Sequence, residues 1–197
     1  YTTLFRSKQT FRFEFHNNIP FARGLGSSSA VIVGAIASAY EMANVKASKQ
    51  IVLNRALRYE SHPDNIAPAV YGGFVSSIVE NDVVYSLKKD LPADIKSIMV
   101  IPDHPMSTSH SRTKLAKNFN MQNMVYNLSR ASLLSSAFFS ENWEMLRVAS
   151  KDCIHQDRRM LAMSELKEVQ KVALANGAFM STLSGSGSSF FTLCDEK

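Results

Sequence analysis

Cysteine is nearly absent from this chain: two of its 197 residues, Cys153 and Cys194. Two cysteines make no disulfide framework, and their spacing matches no zinc site. We expect reduced thiols and a cytoplasmic setting. No apolar run is long enough to span a bilayer, so no membrane partner is expected. Tyr1–Thr10 carries Arg6 and Lys8 but no apolar core with a cleavage site, which excludes a signal peptide there. Basic residues outnumber acidic ones, 22 to 17, and the isoelectric point is about 9.3. Yet Lys88, Lys89, Lys114, Lys117, Arg158 and Arg159 are scattered, with no basic run interleaved with aromatics. Nucleic acid is therefore not the expected partner; the charge also suits an enzyme with a phosphate-rich substrate. An initiating Met is missing, and the chain stops just after an apolar stretch, Phe190–Cys194. We expect a piece of a longer protein. Repeats and low-complexity segments are missing too.

The composition that remains, 45% hydrophobic and 20% charged, is that of a globular protein of one large or two small domains. Phe11, Phe13 and Phe15 alternate with Arg12 and Glu14, the pattern of a half-buried strand. A helix is predicted over 28–43, apolar nearly all round and hence buried. A second, capped by Ser48, runs to about Tyr59 with Ile51, Leu53, Ala56 and Leu57 inward. Residues 60–73 read as irregular, broken by Pro63, Pro68 and Gly72-Gly73. A hairpin follows around Glu80-Asn81-Asp82, then a junction over Lys88–Asp94 and a short strand over Ile98–Ile101. Helices are predicted over about 111–117, 120–140, 142–152 and 164–176, the last capped by Ser164 and ended by Gly177. Strands over Ala178–Leu183 and Phe190–Cys194 flank a glycine–serine turn.

Five segments carry chemistry. Pro20-Phe21-Ala22-Arg23-Gly24-Leu25-Gly26-Ser27-Ser28-Ser29-Ala30 is a glycine-rich turn feeding a helix. Such a terminus presents open N–H groups and the positive end of the helix dipole, a place for phosphate. The same residues also read as a tight turn with serine N-caps. Glu60, His62, Asp64 and Asn65 fall within six residues; a carboxylate there can hold Mg²⁺, whereas Asx turns around Pro63 account for the same residues structurally. Thr108-Ser109-His110-Ser111-Arg112 and His155-Gln156-Asp157-Arg158-Arg159 each offer arginine, which suits bidentate binding of carboxylate or phosphate; solvated surface arginines are the plain alternative. Ser184-Gly185-Ser186-Gly187-Ser188-Ser189 reads as an anion-binding turn or as a hairpin tip.

Taken together, in this order, these segments resemble the GHMP kinases. The Pro20–Ala30 run is similar to their phosphate loop, and Leu183–Ser188 to their C-terminal glycine-rich motif. Glu60-Ser61-His62-Pro63-Asp64-Asn65-Ile66-Ala67-Pro68-Ala69, with Gly72-Gly73-Phe74 after it, resembles the homoserine kinases within that group. The resemblance implies ATP and Mg²⁺ as cofactors and transfer of a phosphoryl group to the hydroxyl of L-homoserine, a step of threonine biosynthesis. It implies that Pro20, Arg23, Gly24, Leu25, Gly26, Ser27, Ser28 and Ser29 wrap the ATP phosphates, and that Ser28 and Glu60 hold Mg²⁺. It implies that His62, Asp64 and Asn65 line the homoserine pocket near its hydroxyl, that Arg112 and Arg159 grip its α-carboxylate, and that Gly185 and its neighbours close the site. Asp64 is the obvious candidate base, but beside the substrate ammonium it serves binding; we favour binding. Asp64, Asn65, Arg112 and Arg159 are thus the expected catalytic set. A GHMP kinase for another small alcohol, or a non-catalytic nucleotide- or RNA-binding module, are the competing readings; the paired arginines speak against sugars.

The implied fold is α+β: a ribosomal-protein-S5-like N-terminal domain over 1–92 and a ferredoxin-like C-terminal domain over 93–197, both expected to be incomplete. The family's N-terminal Pro/Ser/Asn/Gly motif is absent from these residues. A homodimer is the one protein partner entertained.

Overall fold

A computed structural model describes residues 12–103, 118–161 and 164–196. The chain is α+β and divides into two compact units. The first holds the described residues up to Ile19 together with Gly26–Asp90; the second holds Pro20–Leu25 and the residues from Leu91 onward.

The first unit builds three helices on a hairpin: α1 (Ser27–Met42), α2 (Lys49–Ala56), α3 (Pro63–Tyr71), β1 (Phe74–Glu80) and β2 (Val83–Lys89). Its core is Ile36, Tyr40, Val52, Leu53, Ala56, Ile66, Ala67 and Val84. Ser48 caps α2 as expected, its Oγ accepting the Ile51 N–H at 3.3 Å. That helix ends at Ala56, and its inward positions are Val52, Leu53 and Ala56, while Ile51 faces outward. Helix α1 corrects the expectation of full burial. Ile36 and Tyr40 are buried, but Val31, Ala35 and Ala37 are exposed, so this helix has only one covered side.

The segment over 60–73 is also corrected, because most of it is helix α3. Pro63 sits at the first helical position, where its missing N–H costs nothing. Pro68 lies inside the helix, which nonetheless continues to Tyr71 and stops at Gly72, φ +71°. Two side chains of α2 bind the β2 backbone. Asn54 Oδ1 accepts the Val84 N–H at 3.0 Å and Gln50 Nε2 donates to Val84 O at 2.7 Å. The hairpin pairs Glu80 with Val83, so its loop is the two residues Asn81-Asp82, both at positive φ, the two-residue turn that suits strand twist. Arg12–Asn18 forms no strand. Alternation specifies a strand only against a paired neighbour, and none pairs here among the described residues. Phe13 and Phe15 stay 62% and 65% exposed and stack on each other instead. Phe11 lies outside the described residues.

The second unit carries β3 (Ile95–Val100), α4 (Met121–Ser140), a 3₁₀ turn at Trp143–Met145, α5 (Leu146–Ala149), α6 (Gln156–Met160), α7 (Ser164–Ala175), β4 (Met180–Leu183) and β5 (Phe190–Asp195). The strands form an antiparallel sheet in the order β3-β5-β4, pairing Ile95 with Asp195 and Leu183 with Phe190. Phe190 packs with Met160, Leu166 and Leu183, all buried. Ser181 and Thr192 share a buried hydroxyl–hydroxyl bond of 2.9 Å across β4 and β5. The helix expected over 142–152 is instead the 3₁₀ turn followed by one turn of α5, and the five-residue α6 has no counterpart in the sequence reading. Ser164 is the first residue of α7 and not its cap; the helix expected over 111–117 lies outside the described residues. Among the described residues no helix is long and apolar enough to cross a membrane.

Candidate active site

In the first unit, the expected phosphate-binding residues open helix α1. Gly26 is its N-cap, in the left-handed conformation with φ +72°, and no side chain caps the helix. This corrects the reading of the serines as N-caps. Ser27 is buried and its Oγ accepts from Asn17 Nδ2 at 3.1 Å; Asn17 Oδ1 in turn accepts the Ile19 N–H at 3.0 Å. Ser29 is buried as well, whereas Ser28 is exposed. The first N–H groups of α1 meet no acceptor among the described residues, and the helix dipole adds positive potential there.

Helix α3 packs on α1 and starts beside it. A Cβ built on Gly26 would lie 3.6 Å from Asn65 Oδ1. His62 is the N-cap of α3, with Asp64 and Asn65 in its first turn; all three side chains are exposed. Glu60 is half-buried at the end of the α2 segment, its N–H bound to Ala56 O at 3.1 Å. The donor set is compatible with Mg²⁺. Among the described residues no three His, Cys, Asp or Glu side chains gather into a cage; Ser28 is exposed and Glu60 half-buried. A serine hydroxyl and a carboxylate are hard oxygen donors, the type that Mg²⁺ takes.

In the second unit, the other half of the glycine-rich segment is held by the glycine–serine turn. Ser184 Oγ donates to Gly24 O at 2.8 Å, and the Ser189 N–H donates to Arg23 O at 3.1 Å. Arg23 Nη2 donates to Asp103 O at 2.6 Å. Gly24 has φ +73°, and a Cβ there would stand 2.1 Å from Ser184 O. No residue but glycine fits both the backbone angle and that approach. Gly185 also requires its bare Cα: φ is +53° and a Cβ would lie 3.1 Å from Gly24 O.

Arg159 sits on α6 and its Nη1 donates to Gly185 O at 2.8 Å. The structure thus brings Arg23, Gly24, Gly185 and Arg159 into one bonded cluster. Arg112, with Thr108 to Ser111, lies outside the described residues. Two neighbours of this cluster are given no role by the sequence. Asp152, its side chain 7% exposed, accepts the N–H groups of Ile154, His155 and Gln156 ahead of α6. Gln156 is buried and bridges Ser150 O and the Leu183 N–H. An Asp just upstream of a helix start is the signal that marks the first; no sequence signal marks the second. Burial works to raise the Asp152 pKa, but the hydrogen bonds from Asn127, Gln156 and Ile154, with His155 nearby, hold it below the ordinary carboxylate value. Burial lowers His155; Asp152 opposes that and Arg159 adds to it, leaving it below the ordinary imidazole value.

The family model for the GHMP kinase N-terminal domain matches residues 2–73, and that for the C-terminal domain matches residues 134–197. The chain is 62% identical over 196 residues to a homoserine kinase of Nitratiruptor sp., covering 100% of this chain and 67% of that one. It is 61% identical over 185 residues to a homoserine kinase of Campylobacter concisus, covering 94% and 63%. The crystal structure of a homoserine kinase from Cytophaga hutchinsonii superposes with a TM-score of 0.83 at 26% identity, covering 92% of this chain and 59% of that chain. The chain therefore spans about three fifths to two thirds of the length of these relatives.

Proposed function

Because the chain belongs to the GHMP kinase family, among its homoserine kinases, we propose that it carries residues that serve transfer of the γ-phosphoryl group of ATP to the hydroxyl of L-homoserine, giving O-phospho-L-homoserine and ADP in the cytoplasm. The observation that carries this reading is the uncapped start of α1 at Gly26, with Asn65 of α3 beside it. An open helix start binds phosphate; the adjoining His62–Asn65 turn supplies polar groups for an acceptor hydroxyl.

In this reading the N–H groups from Gly24 to Ser29 bind the phosphates, with Pro20, Arg23 and Leu25 shaping the loop. Ser28 and Glu60 hold Mg²⁺, which neutralises phosphate charge. Asp64, Asn65 and His62 bind around the amino and hydroxyl groups of the substrate. Arg112 and Arg159 bind its α-carboxylate, and Gly185 supports Arg159 through its carbonyl. The acceptor oxygen forms the new P–O bond as the β–γ bridge breaks, and its proton leaves to solvent or to Asp64. Such transfers depend chiefly on positioning and charge neutralisation. The family's N- and C-terminal domains correspond in this reading to residues 1–92 and 93–197.

A coupled assay of ADP release by the full-length protein, offered homoserine, mevalonate and galactose in turn, tests the reading. Turnover with homoserine is expected. ADP release with mevalonate or galactose but not homoserine would replace homoserine as the acceptor, and release with none would remove the catalytic reading.

A further inference from the structure

Helix α6 is too short to hold its own shape. It has five residues, and helices of that length depend on what fixes their ends. His155, its N-cap, makes no side-chain cap bond. The end is held instead by Asp152. Its Oδ1 accepts the Ile154 N–H at 2.8 Å, and its Oδ2 accepts the His155 N–H at 3.0 Å and the Gln156 N–H. Bonds from N–H groups to an ionised carboxylate are short and strong. The carboxylate is itself fixed from α4, where Asn127 Nδ2 donates to Oδ1 at 2.7 Å. The same Asn127 accepts the Cys153 N–H at 3.1 Å through its Oδ1.

Arg159 lies on the first turn of this helix. Its own N–H donates to His155 O at 3.0 Å, so its backbone is set by the residues that Asp152 grips. From there its guanidinium reaches Gly185 O. Asp152 is a buried charge, and burying a charge is costly unless several donors satisfy it. Its donors are Asn127 Nδ2, the N–H groups that define the start of α6, and His155 Nε2 at 3.4 Å when that ring is protonated.

We propose that Asp152, braced by Asn127, is a positioning residue for Arg159, setting the direction from which the guanidinium meets the substrate carboxylate. The inference rests on the reading of Arg159 as the carboxylate-binding arginine. It adds that homoserine affinity depends on a side chain that touches no substrate.

The test is a cycle of variants in the full-length protein, read as separate KM values for homoserine and ATP. Arg159→Ala comes first and is expected to raise the homoserine KM by roughly a hundredfold with the ATP KM within about twofold. An unchanged homoserine KM there overturns the reading of Arg159, whatever Asp152 does. Asp152→Asn is then expected to raise the homoserine KM about tenfold, and less than about twofold when Arg159 is already Ala, because residues acting through one group are not additive. A rise of the same factor in both backgrounds, or an equal rise in the ATP KM, overturns the role. If Asp152→Asn does not fold, Asn127→Ala takes its place, with an expected rise of about threefold and the same loss of effect without Arg159. An unchanged homoserine KM in Asn127→Ala likewise overturns it.

Discussion

Gly24 shows how little latitude a single position can have. Its φ is in the left-handed region and its Cα lies against the Ser184 carbonyl. Gly24→Ala is expected to cost about 2–4 kcal/mol, through the positive φ and the displaced turn together. In the full-length protein this reads as a lower urea midpoint and a raised ATP KM; an unchanged midpoint would contradict the close approach. Glu60 makes a second case. If it holds Mg²⁺, Glu60→Gln should raise the Mg²⁺ concentration for half-maximal rate roughly tenfold, as expected when a charged ligand is lost, and leave the homoserine KM in place. An unchanged Mg²⁺ requirement would remove Glu60 from the metal's ligands. The glycines and polar residues of these segments were legible in the sequence because their type restricts what they do. Asn17 and Gln156 were not, because each binds a partner far along the chain, 10 residues away for Asn17 and 27 for Gln156.

At the scale of elements, local propensity explains α2 and misleads at α3. Ser48 caps α2 as its type predicts, and Ser48→Ala should lower stability by about 1 kcal/mol in urea unfolding. The prolines of α3 were read as breakers, yet one occupies the first turn, where it is tolerated, and burial of Ile66 and Ala67 against the core outweighs the other. The alternating phenylalanines failed in the opposite way, since a period-two pattern needs a pairing partner that sequence periodicity does not reveal. The approach to α6 is expected to be the pH-sensitive part. Below the ordinary imidazole value of 6.5, the unfolded chain takes up a proton that His155 in the folded chain resists. Stability is therefore full above that value and falls as pH drops toward the lower folded pKa. Asp152 acts with the same sign in more acid solution, its contribution being lost as pH falls from 3.8 through its lower folded value. The thermal midpoint should decline on acidification from about pH 7.5 to about pH 5.5, and His155→Gln should flatten that slope. An equal slope in the variant would place the sensitivity elsewhere.

For the whole molecule, the α+β class and the family were legible from the order of five short segments, while the grouping of Pro20–Leu25 with the second unit was not. Each unit also leaves an apolar face in water. Ile78, Tyr85 and Leu87 line one side of the hairpin, and Met121, Val125 and Leu128 one side of α4. Apolar patches of this kind promote association. The 197-residue chain alone should scatter light increasingly with concentration, and Leu87→Lys with Leu128→Lys should suppress that; equal scattering would exonerate these faces.

The glycine-rich segment is divided between units, Pro20–Leu25 with the second and Gly26 onward with the first. This bears on recombination. A crossover at residue 90 between two homologous chains would look like a clean domain swap, yet it would take Gly24 from one parent and Ser184 from the other. Hybrids are expected to keep their grip on the loop only where the six residues Pro20–Leu25 travel with the C-terminal half. Inheritance in this chain follows the hydrogen bond between Ser184 and Gly24 rather than the linear order of residues.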